Sequence, residues 1–459
     1  MAPLTQVSSF FFFLTTAALL CFYFVMSAPD DAEVLHFPGF DGQLPSKHYA
    51  GYITLGNQGN RRYLYYYFAT SERIPSKDPI VFWINGGPGC SGMNAIVYFH
   101  GVQHCCGGFT CWCRILICDN NDDYETHDAK TVSDLYKFVL KWFHEYPDFL
   151  SNPLYITRCS YAGAYVPTLL LEIVKGIEAG VKPNINFKHT DYDILYNSRV
   201  PFAHRMGLIS EKLYEDLRIS CQGNYWNSNE PDCLKNMEAY HKNTDGINIE
   251  HVLFPHCHYE LGIHSSISYE EERLWMNYGC EENGYQIDCP GAIIGKAVRN
   301  ANTYHRIRDI YCYDYENRPM VLFDSESSRR DLHAQPVEVA GRWKRCTDEL
   351  TYRKEKISLI KHHLNLTLKG YRAFIYRLFL CIKKLNYTEL ESWRPWFVGD
   401  QIASIWELII YLLNCKYTVQ YEHNLLFATF KGAGHTVAEF TPREALVAFK
   451  QWIDGDENL

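Results

Sequence analysis

One segment constrains the fold more than any other: residues 151–180 combine a buried strand, a turn and a helix. The sequence is SNPLYITRCSYAGAYVPTLLLEIVKGIEAG, in which an apolar run leads to Ser160, small residues follow, and a helical pattern begins. Residues 78–92, DPIVFWINGGPGCSG, place another buried strand before a glycine-rich loop. Residues 126–150 have helical periodicity that stops at Pro147. This alternation of strands and helices predicts an α/β fold, with a mostly parallel sheet covered by helices on both faces.

The flanking segments extend this plan. Residues 48–56 and 61–70 are β-rich runs around the turn sequence GNQGN, so they predict an antiparallel pair. Further core strands are predicted within residues 366–380 and 423–434. An amphipathic helix over 441–455 closes the chain, with Thr441 at its N-cap, Pro442 in its first turn and Gly455 at its end.

The pattern changes between these two groups of strands. After a helical stretch at 198–217, the chain up to about residue 331 has paired cysteines, loops and charge with little β pattern. This predicts a mostly helical inserted cap. The predicted organisation is a signal peptide at 1–28, the first part of the core at 29–196, the cap at 197–334 and the second part of the core at 335–459.

Composition and charge exclude several classes of function. The chain has 459 residues, enough for one large α/β domain with an insertion or for two domains. Hydrophobic residues make up 47% and charged residues 21%, which is globular composition and argues against disorder. The net charge is −9 and no basic stripe is present in the sequence, so nothing predicts binding to nucleic acid.

The first 28 residues predict a targeting segment. Residues 8–26 are almost wholly apolar, and the small residues Ser27 and Ala28 follow them, as a signal-peptide cleavage site requires. A membrane anchor is the alternative, because about 18 apolar residues can span a bilayer; no later segment of the sequence is apolar enough. A signal peptide predicts a secreted or vacuolar protein with no membrane contact beyond the leader.

Seventeen cysteines in a secreted chain predict disulfides, and the odd number leaves at least one free thiol. The cysteine cluster between residues 105 and 118 does not have the ligand spacing of a zinc site, so we expect no metal there, and we expect no cofactor. The sequons at Asn365 and Asn386 are candidate glycosylation sites.

Three motifs carry the chemistry. The loop NGGPGCSG at 85–92 follows a buried strand; its glycines permit close backbone approach, so it either aims N–H groups at a developing oxyanion or serves only as a tight turn. Ser160 stands between strand and helix, where a nucleophile elbow places its serine. His435 lies in the glycine-flanked loop GAGHTVAEF at 432–440. The order of glycine loop, serine and histidine is that of an α/β-hydrolase.

The motifs NGGPGCSG, SYAGAYVP and KGAGHTVAEF, in this order, resemble those of the serine carboxypeptidases and carboxypeptidase-like acyltransferases. FAHRMGLIS (202–210), HLNLTLKGYRAFIY (363–376) and SWRPWF (392–397) resemble more narrowly the plant group that includes acyltransferases using glucose esters. The resemblance covers roughly residues 33–96, 124–255 and 340–455. It implies an α/β-hydrolase core with an inserted cap.

The resemblance also implies a role for each matching residue. Ser160 matches the nucleophile and His435 the general base. Gly87 and Tyr161 match the two residues whose backbone N–H groups form the oxyanion hole, and Asn85 matches a side chain that helps to hold the substrate carboxylate. The implied disulfides are Cys90–Cys346, Cys221–Cys233 and Cys257–Cys312.

Departures from the family pattern affect the same motifs. Before the serine, the family has a glycine and an acid, and the acid hydrogen-bonds the C-terminal carboxylate of the peptide; here Arg158 and Cys159 occupy these positions. We expect Arg158 to displace the strand or the helix, since the two converge there. The family's triad Asp follows the strand that matches GYRAFIY, but that segment has no match here, and Asp400 lies too far along the chain.

Two further segments also depart from the family. Residues 97–123 match no core strand and predict at most a short one at 114–118, and residues 404–421 resemble an inserted loop. These changes are consistent with a divergent copy or with a chain translated from wrongly joined coding segments.

Three functions therefore compete. The first is a carboxypeptidase-like hydrolase that acts through a serine acyl-enzyme on a peptide C-terminus, with impaired activity. The second is an acyltransferase that takes its acyl group from a glucose ester. The third is a catalytically silent relative or a nonfunctional product. The motifs of a common acyl-enzyme do not separate the first two.

Overall fold

A computed structural model of the chain describes residues 29–40, 42–100, 108–118, 125–192, 199–225, 228–248, 251–252, 280–282, 285–287, 318–347, 350–355, 359–376, 385–396, 416–430 and 433–455. The predicted signal peptide lies outside these residues.

Eleven strands form one large sheet, with the order β1-β2-β3-β5-β4-β7-β8-β12-β15-β14-β13. Its strands are β1 (Glu33–Val34), β2 (His48–Leu55), β3 (Arg62–Ala69), β4 (Ile80–Ile84), β5 (Gly108–Cys118), β7 (Leu154–Arg158), β8 (Phe187–Tyr192), β12 (Arg372–Tyr376), β13 (Arg394–Trp396), β14 (Lys416–Tyr421) and β15 (Leu425–Ala428). Two short pairs of strands lie outside this sheet. Strands β6 (Thr126–His127) and β11 (Tyr352–Arg353) are parallel, and strands β9 (Cys280–Glu282) and β10 (Tyr285–Ile287) are antiparallel.

The centre of the large sheet is parallel and both of its edges are antiparallel. Strands β5, β4, β7, β8, β12 and β15 are parallel neighbours, whereas β1 to β3 on one side and β14 and β13 on the other are antiparallel. Because the carboxyl ends of parallel strands meet at one edge, the loops after β4, β7 and β15 lie at the same edge of the sheet. These are the loops that carry Asn85, Ser160 and His435.

Helices cover both faces of this sheet, which confirms the predicted α/β class. The α-helices of the described residues are α1 (Asp128–Glu145), α2 (Val166–Glu178), α3 (Arg199–Arg205), α4 (Glu211–Cys221), α5 (Pro231–Asn243), α6 (Arg318–Asp324), α7 (Glu326–Asp331), α8 (Val337–Ala340), α9 (Ile360–Leu368), α10 (Val437–Phe440) and α11 (Pro442–Asp454). Helices α1 and α2 bury their apolar sides against one face, around Trp142, Phe138 and Ile156. Helices α10 and α11 pack on the other face with Phe374 and Tyr155.

Two sequence predictions of strands are wrong. Strand β5 is 11 residues long, where at most a short strand at 114–118 was expected, and it pairs with both β3 and β4 in the interior of the sheet. Strand β14 forms the end of the stretch taken for an inserted loop. A strand's place depends on hydrogen bonds to distant neighbours, which local sequence does not reveal.

Two local predictions about helices also need correction. The helical stretch expected at 198–217 is two helices, because the chain turns at Gly207, where φ is +69°. Thr441 stands at the N-cap of α11, but its hydroxyl donates to the carbonyl of Val437, 3.0 Å away, and does not cap the helix.

Helices and a hairpin make up the described part of the predicted cap. Helices α3 to α7 and the pair β9–β10 fall between residues 197 and 334, and none of the described strands of the large sheet comes from this range. The limits of the cap stay a prediction. Within the described residues, no helix has both the length and the apolar character needed to cross a membrane.

The ion pair between Arg62 of β3 and Asp134 of α1 fixes this helix to the sheet. Both side chains are largely buried, and the guanidinium donates to both carboxylate oxygens, at 2.6 and 3.0 Å. We expect Asp134→Ala to lower the free energy of unfolding by about 3 kcal/mol, because it leaves a buried cation without its carboxylate. Urea unfolding measures the change. The exposed Asp148→Ala is the control and should change the free energy by less than about 0.5 kcal/mol; equal effects of the two variants would contradict the prediction.

His48 gives the fold a dependence on pH. The residue is buried beside Tyr67, whose hydroxyl it hydrogen-bonds, and burial lowers the pKa of the imidazole from 6.5 to about 4. The folded chain needs neutral His48, so its contribution is complete above pH 6.5 and is lost as the pH falls from 6.5 to about 4. Over this window His48 should lower the free energy of unfolding by up to about 3 kcal/mol. We expect this part of the fall to be absent in His48→Gln. Urea unfolding at pH 7 and pH 5 measures the change, and an equal fall of stability in the variant and in the unmodified chain would contradict the prediction.

Candidate active site

The glycine loop after β4 is fixed from inside by the side chain of Asn85. Its amide oxygen accepts from Trp83 Nε1 at 2.7 Å, and its amide nitrogen donates to the carbonyl of Ser91 at 2.6 Å. Tyr165, at the start of α2, donates to the carbonyl of Asn85 at 2.8 Å. In this conformation Asn85 shapes the loop, and its predicted contact with a substrate carboxylate stays a prediction.

Ser160 occupies a sharp turn directly after β7. It has a φ of +60°, a left-handed conformation that is uncommon for a residue other than glycine, and it is half-buried. A short helical turn, Ser160–Ala164, then leads into α2. This is the backbone that exposes the side chain of a nucleophile at the end of a strand.

The glycine loop touches this turn without space for a side chain. A Cβ atom on Gly86 would lie 2.3 Å from the backbone nitrogen of Tyr161 and 2.9 Å from that of Ala162. Gly87, the next residue, has a φ of +104°, which also favours glycine. The two residues predicted to supply oxyanion donors, Gly87 and Tyr161, therefore come from backbones in direct contact.

The loop that carries His435 contacts the turn that carries Ser160, and the contact is made by the residue next to each of them. Cys159 Sγ and Thr436 Oγ1 are 3.3 Å apart, both buried, and they flank Ser160 and His435 in the chain. His435 is itself buried. Gly434 permits this arrangement, since a Cβ there would lie 2.4 Å from the ring of Phe440 and 2.7 Å from the ring of His251. His251, from the predicted cap, thus packs against the histidine loop.

Arg158 and Cys159 point to opposite faces, as successive residues of a strand do. Cys159 packs with Trp83 and Ala438 on the side of the histidine loop. Arg158 is fully buried near His363 of α9, and burial together with the charge of Arg158 holds the pKa of His363 well below its usual value. Strand β7 keeps a regular register with β4 up to Arg158, so the pairing of the strand is not interrupted there; the expected displacement of strand or helix stays a prediction.

A second framework joins the glycine loop to the histidine loop. The disulfide Cys90–Cys346 is formed, and the amide of Ser91 donates to the carbonyl of Arg345 at 2.9 Å. Arg345 then pairs with the buried carboxylate of Glu439 on α10 at 2.9 Å. Residues 345–346 therefore connect the loops after β4 and β15.

Tyr161 is also held by its side chain. Its hydroxyl lies 3.2 Å from both oxygens of the buried Asp128, the first residue of α1. Asp128 accepts two more hydrogen bonds, from the hydroxyl of Tyr352 at 2.7 Å and from the amide of Glu355 at 2.8 Å. The residue after the serine is thus fixed between α1 and the segment around β11.

Comparisons with known proteins show the family of the chain. The family model described as serine carboxypeptidase matches residues 38–107 and 117–455. The chain belongs to the serine carboxypeptidase family. "Serine carboxypeptidase 1" of Hordeum vulgare is 38% identical over 94% of both chains, and "Serine carboxypeptidase-like 20" of Arabidopsis thaliana is 34% identical over 95% of both.

A solved structure shows the same fold. The Kex1(Δ)p prohormone-processing carboxypeptidase of Saccharomyces cerevisiae aligns with a TM-score of 0.64 at 14% identity, over 93% of this chain and 96% of that one. The α/β-hydrolase architecture expected from the motifs is therefore confirmed. The family model leaves residues 108–116 unmatched, yet the structure has a core strand there, so the fold is kept where the family's sequence is not.

Other predicted residues fall in several places. Cys221 and Cys233 are bonded to each other, between α4 and α5. Asn365 and Asn386 are exposed, and their glycosylation stays a prediction. Cys257, Cys312 and Asp400 lie outside the described residues, as do the side chains of the cysteine cluster between 105 and 118.

Sequence reasoning missed the residues that support the site: Asp128, Tyr352, Arg345 and Glu439. Asp128 could have been noticed as an acid at the start of a helix, although such acids commonly only complement the helix dipole. The contact between Asp128 and Tyr352 joins residues 224 positions apart, so no local signal reports it.

The contact between Gly86 and Tyr161 predicts the effect of one methyl group. We expect Gly86→Ala to slow covalent labelling of Ser160 by a fluorophosphonate at least about 10²-fold, because the added Cβ must displace the backbone of Tyr161, one of the two predicted oxyanion donors. Labelling is measured by intact-protein mass spectrometry. Gly51→Ala is the matched control, since its Cβ would make an ordinary 3.4 Å contact with the Tyr66 hydroxyl. Equal labelling rates in the two variants would rule out this role for the loop.

Proposed function

We propose that the chain is a carboxypeptidase-like hydrolase that forms an acyl-enzyme on Ser160, with turnover far below that of an intact relative. The observation that carries this proposal is the left-handed Ser160 turn, joined to the His435 loop through Cys159 and Thr436. Family membership supplies the reaction class, and the site supplies the residues that could perform it.

In the proposed reaction, Ser160 Oγ attacks the acyl carbon of the substrate while His435 takes the hydroxyl proton. The backbone N–H groups of Gly87 and Tyr161 stabilise the oxyanion, and donors of this kind contribute about 3–4 kcal/mol each. His435 then protonates the leaving group. Water, activated by the same imidazole, hydrolyses the ester on Ser160 and releases the acid.

The weak point of this site is the orientation of His435. In relatives of this kind an Asp after the strand that matches β12 holds the imidazole, but residues 377–384 of this chain, RLFLCIKK, contain no acid. Loss of the Asp in a serine protease lowers turnover by about 10⁴, because the wrong tautomer is present and the imidazolium is not stabilised. We therefore propose turnover at least about 10³-fold below an intact relative.

An acyltransferase is the second candidate, and the position of Cys159 favours it. The acid expected at this position would hold a peptide carboxylate, whereas Cys159 faces Thr436 and a thiol is only a weak donor. A substrate without a carboxylate, such as a glucose ester, loses nothing by this change. A secreted or vacuolar location, consistent with the two disulfides, suits both candidates.

One set of measurements tests these proposals. We expect a fluorophosphonate to label Ser160, and we expect ester and peptide turnover to stay well below ordinary enzyme rates of about 1–10³ per second. A rescue variant with Arg158→Gly and Cys159→Glu and an Asp-bearing loop after Tyr376 should raise turnover at least about 10-fold. Adding alcohols to the assay separates the candidates, since a transferase yields new esters in place of free acid.

The matched control for the rescue carries the same changes with Asn in place of the grafted Asp. It should label as well as the rescue variant and turn over more slowly. If the unmodified chain already works at ordinary enzyme rates, the proposed impairment is wrong. If Ser160 is not labelled at all, the silent alternative is correct.

A further inference from the structure

We propose that Asp128 is a positioning residue for the reaction at Ser160. Its carboxylate holds the side chain of Tyr161, and through this side chain it holds the backbone N–H that is predicted to donate to the oxyanion. This inference rests on the proposed function. It assigns a role in the reaction to the first residue of α1, a helix outside the three loops that carry Asn85, Ser160 and His435.

Tyr161 is held at both of its ends. Its hydroxyl lies 3.2 Å from both carboxylate oxygens of Asp128, and both residues are buried. At the other end, its backbone nitrogen lies so close to Gly86 that a Cβ there would come within 2.3 Å of it. The ring between these ends packs against the Tyr352 ring, with centroids 6.0 Å apart, and its centroid lies 5.0 Å from Lys354 Nζ. A shift of the Tyr161 backbone therefore has to strain or break the contacts of its side chain.

The turn at Ser160 needs such an anchor. Ser160 has a φ of +60°, a left-handed conformation that is strained for a residue other than glycine. Relaxation of this angle rotates the peptide unit between Ser160 and Tyr161, which carries the predicted oxyanion donor. The hydrogen bonds to Asp128 oppose this rotation because they fix the far end of the Tyr161 side chain. Oxyanion donors lower the barrier most when their positions are set before the reaction, so the anchor should affect the rate.

Asp128 suits this role because its carboxylate accepts from every one of these partners. Besides the Tyr161 hydroxyl, Oδ1 accepts from the Tyr352 hydroxyl at 2.7 Å, and Oδ2 accepts from the amide of Glu355 at 2.8 Å. An ionised carboxylate is an acceptor at both oxygens, whereas an amide in its place turns an NH₂ group towards one of the donors. Asp128→Asn therefore keeps the shape of the side chain and still disturbs the anchor.

The place of Asp128 is itself fixed by further contacts between the start of α1 and the segment around β11. Strand β6, which leads into α1, pairs with β11. The Glu355 carboxylate lies 2.9 Å from Nδ1 of His127, the residue before Asp128. The start of α1 and the segment around β11 thus form one unit, and the Tyr161 hydroxyl is bonded to the buried carboxylate of that unit.

The experiment measures the rate at which a fluorophosphonate labels Ser160 as a function of its concentration. This separates the affinity of the reversible complex from the rate constant of bond formation, and the oxyanion donors act on the second. Tyr161→Phe removes the hydroxyl and keeps the ring and the backbone N–H. We expect it to slow bond formation about 10-fold, since a misplacement of about 1 Å can cost about 10²-fold, and to change the affinity less than about 2-fold. Asp128→Asn should slow bond formation at least as much.

Tyr66→Phe is the matched control. Tyr66 is a buried tyrosine of β3 in the same core cluster as α1, and its hydroxyl lies 2.7 Å from the Tyr146 hydroxyl, so this variant also loses one buried hydrogen bond. It should leave both the affinity and the rate constant unchanged. A double variant with Asp128→Asn and Tyr161→Phe should react less than about 2-fold more slowly than Asp128→Asn alone, because both changes break the same contact.

A second measurement does not need a reactive serine. Hydrogen exchange of the backbone amides in residues 160–165, followed by mass spectrometry, should be faster in Tyr161→Phe and Asp128→Asn than in the unmodified chain or in Tyr66→Phe. If the unmodified chain is not labelled, the proposed acyl-enzyme chemistry fails, and the exchange rates alone decide for or against the anchor. Unchanged exchange in both variants, unchanged labelling of Tyr161→Phe, equal slowing in Tyr66→Phe, or effects that multiply in the double variant overturn the proposal.

Discussion

The site depends on one close approach, between the backbone of Gly86 and that of Tyr161. Two parallel neighbours, β4 and β7, end at the same edge of the sheet, so the loops that follow them must touch. A side chain at position 86 would collide with the nitrogen of Tyr161. The contact sets where the two predicted oxyanion donors lie, and the Tyr165 hydrogen bond to Asn85 and the Cys90–Cys346 disulfide keep the loop in place.

The same strand geometry explains how the chain tolerates its most unusual residue. Arg158 replaces a glycine at a point where strand and helix converge, and its side chain is fully buried. Because side chains alternate across a strand, its charge lies on the side of α9 and His363, while Cys159 faces the histidine loop. The charge of Arg158 therefore lies on the side of the strand opposite to Cys159 and the histidine loop.

Much of the fold could be predicted from the sequence, because the central strands, helices and glycine loops have strong local patterns. The antiparallel pair β2–β3, helix α1 and the serine turn all lie where periodicity and turn residues place them. Strand β5 could not be predicted, since its sequence is unlike the family's and its place depends on β3 and β4. The support of Tyr161 by Asp128, Tyr352 and Lys354 was also hidden, because these contacts join segments far apart in the chain.

The backbone conformation of Ser160 does not depend on whether the serine is catalytically active. A left-handed residue other than glycine costs about 1–3 kcal/mol, and the surrounding structure must impose it. Here β7, the Gly86 contact and the Tyr161–Asp128 hydrogen bonds impose it whether or not the serine reacts. A well-formed elbow therefore shows that the fold is intact. In the proposed mechanism, reaction needs one more condition, a group that selects the tautomer of His435 and stabilises its imidazolium, and that group acts on the histidine without holding the elbow. In the proposed mechanism, loss of the family's Asp after β12 therefore lowers turnover and leaves the Ser160 turn unchanged.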